Sequence, residues 1–175
     1  MRKAAKIARH PTHLLTHAPL HTVIDRYLPV TEFDELRVPY QCVAACIEDS
    51  RAVWFSEGPI APAVLASCSV PGLFPPVRIG EHHYLDGGLV HSIPVGRAME
   101  LGASQIYVLQ VGRVEQALRV PRAPWEVAAV AFEISRRHRY VEEIANVPES
   151  VALHVLPSGQ APRPRSRWGR RAAAG

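Results

Sequence analysis

This 175-residue sequence is poor in long apolar runs, cysteines and terminal acids. Nowhere do about 18 uncharged apolar residues follow one another, which excludes a transmembrane helix. The N-terminus, MRKAAKIARHPTHLL, is basic but lacks the apolar stretch of a secretory signal. A cytoplasmic location is expected. Cysteine occurs three times, as Cys42, Cys46 and Cys68. A C-x3-C spacing without a second pair is a poor zinc pattern, and an odd count argues against a disulfide framework. On a strand, positions 42, 44 and 46 share one face, so these thiols read as small core residues. No metal and no cofactor is expected.

Acids are missing from both ends. Residues 1–21 carry four cations and residues 161–175 carry five, with no Asp or Glu in either stretch. All sixteen acids lie in residues 22–160, beside eleven cations. The overall charge of +4 therefore belongs to the termini, and the middle is acidic. That gives no support to a basic binding face on the fold, and nucleic acid is not an expected partner. The expected organisation is a basic, His-rich segment (1–21), a domain (22–160) and a disordered Arg-rich tail (161–175).

What remains is ordinary globular composition, 47% hydrophobic and 21% charged, of a length that suits one core. His10, His13, His17 and His21 are spaced to line one helix face. Pro11 and Pro19 interrupt the stretch and no acid stands by to orient the rings, so a partly irregular segment is expected there rather than a metal site. From Val38 onward the pattern alternates strand and helix. VPYQCVAACIED (38–49) reads as a strand buried on both faces of a parallel sheet, and AVWFSEG (52–58) as its hairpin partner. PIAPAVLASCSV (59–70) reads as a helix with Ser56 as a cap, Pro59 in the first turn and Pro71-Gly72 as the stop. Two short strands flank Gly80, and VGRAMELG (95–102) is a helix ending on Gly102. SQIYVLQVG (104–112) reads as another buried strand. The longest helix spans 124–147, with Val127, Val130, Ala131, Ile134, Val141 and Ala145 as its inward stripe and His138 partly buried among them. VALHVLP (151–157) is the last strand.

The chemistry concentrates in residues 66–103. Asp86-Gly87-Gly88 follows the strand ending Tyr84-Leu85. Taken alone, Asp-Gly is a turn pair; at the end of a strand it also presents a carboxylate at the mouth of a sheet. The wider block supplies context: ASCSVPGLFPP (66–76), a short hairpin, YLDGGL (84–89), then Ile93-Pro94-Val95, Ala98 and Leu101-Gly102-Ala103. With WFSEGP (54–59) before it, this block resembles the C-terminal half of the patatin-like phospholipase family over residues 36–112.

The resemblance implies an α/β, three-layer, hydrolase-like fold. It also implies acyl-ester hydrolysis on lipids by a Ser–Asp dyad, a role in lipid metabolism, and a lipid or acyl-ester substrate met at a transient membrane-surface contact. Asp86 maps onto the family's general base, and Gly87 and Gly88 onto the turn that supports it. The family's nucleophile sits in G-x-S-x-G, and its oxyanion donors in a Gly-rich loop. Neither motif occurs in this sequence, whose first glycine is Gly58. The expectation is thus a portion of the domain that holds the base without nucleophile or oxyanion hole. Ser67, Ser69 and Ser92, with His91 as another base, are the local substitutes weighed against that reading. His82 and His83 are expected to point inward and outward from their strand. Two further readings compete with a hydrolase: a non-catalytic lipid- or partner-binding module, and an inactive gene fragment.

Overall fold

The computed structural model describes residues 13–109 and 117–156. Of the N-terminal segment and the tail, residues 1–12 and 157–175 lie outside the described residues, as does His10. The fold is α/β, and one sheet organises it. Strands β1 (Cys42–Cys46), β2 (Arg51–Phe55), β3 (Val77–Ile79) and β4 (His82–Asp86) line up in the order β2-β1-β4-β3. Every neighbouring pair is antiparallel. The β1–β2 and β3–β4 hairpins are those expected from the sequence, the latter turning at Gly80, and hairpins join only antiparallel strands; β1 and β4 also run antiparallel, where a parallel sheet was expected.

Every residue of β1 is buried, and its sequence, CVAAC, shows why only small side chains serve. One face packs on helix α2 (Ile60–Ser67): Cys42 meets Ile60 and Ala63, while Ala44 and Cys46 meet Ala66 and Tyr84. The cysteines are free thiols, and burial raises the Cys42 thiol to about 11 and pushes Cys68 up as well.

Helix α2 starts one residue later than expected. Pro59 is its cap position and Ser56 gives no cap. The Ile60 N–H instead donates to the Thr31 carbonyl at 2.9 Å, so a distant segment satisfies the helix end. The helix also stops at Ser67, before Pro71-Gly72. Helix α1 (Ala18–Tyr27) was not expected: Pro19 falls in its first turn, where a missing N–H costs nothing.

Helix α3 (Val95–Glu100) ends as a Schellman motif. Gly102 N–H donates to Met99 O at 2.9 Å and Ala103 N–H to Ala98 O at 3.0 Å, with Gly102 at positive φ. It packs beneath β5 (Gln105–Leu109) and β6 (Ala152–Leu156), a separate parallel pair with its own core of Val95, Ile106 and Val108. β5 is buried on alternate residues only, so it covers one face and not two.

Helix α4 (Pro124–Ala145) overturns its expected stripe. Val127, Ile134 and Val141 are 53%, 56% and 63% exposed, and the one buried residue is Phe132. Ala131 and Ala145 are exposed too, and Val130 is half-buried. The His138 side chain lies in solvent, beside Glu142 at 3.4 Å. The inward line is instead Phe132, Arg136, Arg139 and Glu143, a polar stripe aimed at the β4 end of the sheet. Replacing Val127, Ile134 and Val141 together by Lys is therefore expected to change unfolding free energy by less than about 1 kcal/mol. Sedimentation should show less self-association than in the parent chain; a severe loss of stability would restore the stripe to the core. Among the described residues, no helix is long and apolar enough to cross a membrane.

Candidate active site

Asp86 is the last residue of β4, paired with Ala44 in the central strand. Its N–H donates to the Ser69 carbonyl at 2.9 Å, which fastens the strand end to the turn after α2. The chain then folds into a 3-10 turn, Gly87–Leu89, and the Gly88 N–H donates to Asp86 Oδ1 at 2.7 Å. Asp86-Gly87 is thus a capped turn leading into the next segment, and not a hairpin loop.

The glycines have distinct tasks. A Cβ at Gly87 would run into the backbone carbonyl of Val43, so the turn can approach β1 only without a side chain. A Cβ at Gly88 would stand 3.0 Å from both Asp86 Oδ1 and the Phe132 ring. Phe132 thereby seats α4 on the turn.

Asp86 opens into a cavity of about 260 Å³. Tyr40, Cys42, Val43, Trp54, Ser67, His91, Ser92 and Arg136 are among the residues that line it. Burial pushes the Asp86 carboxyl up to about 6, against the opposing pull of the Gly88 N–H and the Arg136 charge. Among the described residues, no hydrogen bond engages Oδ2. The Arg97 guanidinium lies 5.3 Å over the Trp54 ring and its Nε donates to Gln41 Oε1 at 3.1 Å. The His91 ring packs on Trp54 at 5.2 Å, and its Nδ1 lies 3.4 Å from Glu143 Oε1.

The three serines fare differently. Ser67 and Ser92 line the cavity, but among the described residues neither hydroxyl hydrogen-bonds Asp86 and the buried Ser92 Oγ has no hydrogen-bond partner. Ser69 Oγ lies 2.9 Å from His17 Nε2, the spacing of a nucleophile and its base. Its proton, however, goes to the Leu65 carbonyl at 2.7 Å, and the residue is completely buried. Ser69 therefore accepts from His17, and the pair ties α1 to α2, helped by His17 stacking on Phe74 at 5.3 Å. His82 and His83 both stay half exposed rather than splitting inward and outward: each reaches an acid of the β1–β2 turn, Asp49 at 3.8 Å and Glu48 at 2.7 Å.

Arg136, Phe132, Tyr40 and Trp54 are the site residues that sequence reasoning passed over. Phe132 and Arg136 stand four apart, and Arg139 and Glu143 continue their line at helical spacing. That periodicity was the available signal, hidden by a longer and more apolar stripe on the opposite face.

The comparisons with known proteins agree with the resemblance. The patatin-like phospholipase family model matches residues 2–99. An uncharacterized NTE family protein of Mycobacterium bovis is 33% identical over 76 residues, which is 43% of this chain and 21% of that protein. Lysophospholipase NTE1 of Lodderomyces elongisporus is 31% identical over 125 residues, 71% of this chain and 8% of that protein. Lysophospholipase nte1 of Emericella nidulans is 26% identical over 118 residues, 67% of this chain and 8% of that protein. The chain thus spans at most about a fifth of the length of these relatives. With a family match over more than half of its residues, the chain belongs to the patatin-like phospholipases.

Proposed function

We propose that the Asp86 cavity is the base half of a Ser–Asp site that hydrolyses acyl esters of lipids. The serine comes from a G-x-S-x-G element and the oxyanion donors from a Gly-rich loop, neither of which this sequence contains. The observation that carries the reading is the carboxylate itself. It is held at a strand end by Gly88 N–H, has no hydrogen bond at Oδ2 among the described residues, and is raised by burial to about 6. A serine hydroxyl attacks an acyl carbon only while a base takes its proton, and a base titrating near neutrality combines ionisation with proton affinity. In the proposed cycle Asp86 removes the proton of the serine hydroxyl as Oγ bonds to the acyl carbon. It then returns that proton to the departing alkoxide, and a water activated the same way releases the acid. The Lysophospholipase name carried by two of the relatives supports a phospholipid with a single acyl chain as the substrate class.

Labelling with a fluorophosphonate tests the division of labour. The chain alone should not label. Joined to a patatin-like segment bearing G-x-S-x-G, the assembly should label at that serine. Strong labelling of the chain alone at Ser67 or Ser92, lost in Asp86→Ala, would overturn the split site.

A further inference from the structure

The end of β4 remote from Asp86 carries a second group of reactive side chains, which the hydrolase reading does not use. Cys46 closes β1, Asp49 stands in the β1–β2 turn, and His82 opens β4. Cys46 pairs with Tyr84 across to β4 and shares its buried cluster, so His82, two residues before Tyr84, lies on the same face. The Cys46 sulfur, a carboxylate oxygen of Asp49 and a ring nitrogen of His82 all lie within 4.8 Å of one another. Asp86 ends the same strand, about 13 Å further along it.

The spacings suit a shared ion better than hydrogen bonds. His82 Nε2 and Asp49 Oδ2 stand 3.8 Å apart, too far to share a proton. Two ligands of a tetrahedral zinc, with bonds of about 2.0–2.3 Å, are separated by about 3.3–3.7 Å. The sulfur is buried while Asp49 is exposed and His82 half-buried, which leaves an ion a path in from water. Arg51 Nε donates to Asp49 Oδ2 at 3.0 Å. A carboxylate oxygen accepts more than once, so this contact orients the ligand without using it up. The Cys46 thiol donates to Glu48 Oε2 at 3.7 Å, and Glu48 is fixed in turn by the ring and N–H of His83. With Cys46 as thiolate, the negative charges of Cys46, Glu48 and Asp49 exceed the positive charge of Arg51 by two, the charge of one divalent cation.

We propose that Cys46, Asp49 and His82 bind a zinc ion, with water as the fourth ligand. On binding, the Sγ–H bond gives way to an Sγ–zinc bond, and the proton leaves through Glu48 to solvent. The donor set selects the metal: a thiolate disfavours magnesium and calcium, and imidazole and carboxylate beside it suit zinc. The ion would clip the β1–β2 turn to the start of β4. The C-x3-C spacing gave no sign of it, because the partners of Cys46 are an acid three residues on and an imidazole supplied by another strand. The inference is independent of the hydrolase reading.

Titration of the reduced full chain with Co²⁺, a spectroscopic stand-in for zinc, tests it. One equivalent should produce a thiolate-to-cobalt charge-transfer band and the intense visible bands of four-coordinate cobalt, and zinc should displace it. Millimolar Mg²⁺ should not. Cys46→Ser should erase the charge-transfer band. Asp49→Asn and His82→Ala change side chains that reach solvent, and should each weaken Co²⁺ by at least about tenfold with the far-ultraviolet dichroism unchanged. Cobalt bound without a charge-transfer band, as the histidines of residues 10–21 would bind it, overturns the proposal. So does a band that persists in Cys46→Ser, or an affinity unchanged in both Asp49→Asn and His82→Ala.

Discussion

Asp86→Asn is expected to cut ester hydrolysis about a thousandfold when the chain is joined to a serine-bearing segment, and to make the fold more stable. The first effect is the removal of a general base, whose contribution is about 10²–10⁴ in rate. The second follows from the raised carboxyl. Its pKa in the fold, about 6, lies above that of an unfolded Asp. The folded state therefore holds its proton more tightly, and the stabilising balance is complete below about pH 4 and lost as pH rises through 6. Above that, the fold carries a buried charge that it would rather not have. Asparagine keeps the carbonyl that accepts from Gly88 without the charge. Urea melts at pH 8 should show the variant more stable by about 2 kcal/mol, less than the whole shift because the cavity is open to water. At pH 4 the two proteins should coincide. The rate of the parent should fall below about pH 6, as the base becomes protonated. A variant less stable at pH 8 would mean that the carboxylate is held by contacts stronger than its burial cost.

Gly87→Ala should lower stability by about 3 kcal/mol, at the upper end for an overpacked site. The added carbon meets the backbone of β1, a strand covered on both sides, and nothing there can yield cheaply. Gly88→Ala is the control. Its Cβ meets the carboxylate tip and the edge of a ring, each able to rotate, so the cost should be about 1 kcal/mol. Equal losses in the two variants would show that the turn, not the approach to Val43, sets the requirement.

Much of this was legible in residue order. β1 announced itself through a stretch apolar on both faces, and the β3–β4 hairpin through Gly80. Asp86 stood out through its glycines and the blocks around them. What escaped reading depended on partners distant in the chain. The cap of α2 comes from Thr31, which no local pattern predicts. The orientation of α4 was misread because hydrophobicity identifies a core only when a core lies opposite. Here the partner of that helix is a glycine turn and a carboxylate, so a ring, a guanidinium and other charged side chains turn inward while valines face water. Only the β1–β4 direction was misread, because burial on both faces suits a parallel strand and a central antiparallel one alike.

The packing beneath β5 and β6 shares no buried residue with the packing around β1. Cooperativity in such a fold is limited by the weaker of two cores. Amide protons of Ile106 and Val108 should exchange with solvent by an opening confined to α3, β5 and β6, while those of Val43 to Ala45 wait for global unfolding. The base would then stand on the slowest-exchanging part of the chain, with the more labile part free to open without disturbing it.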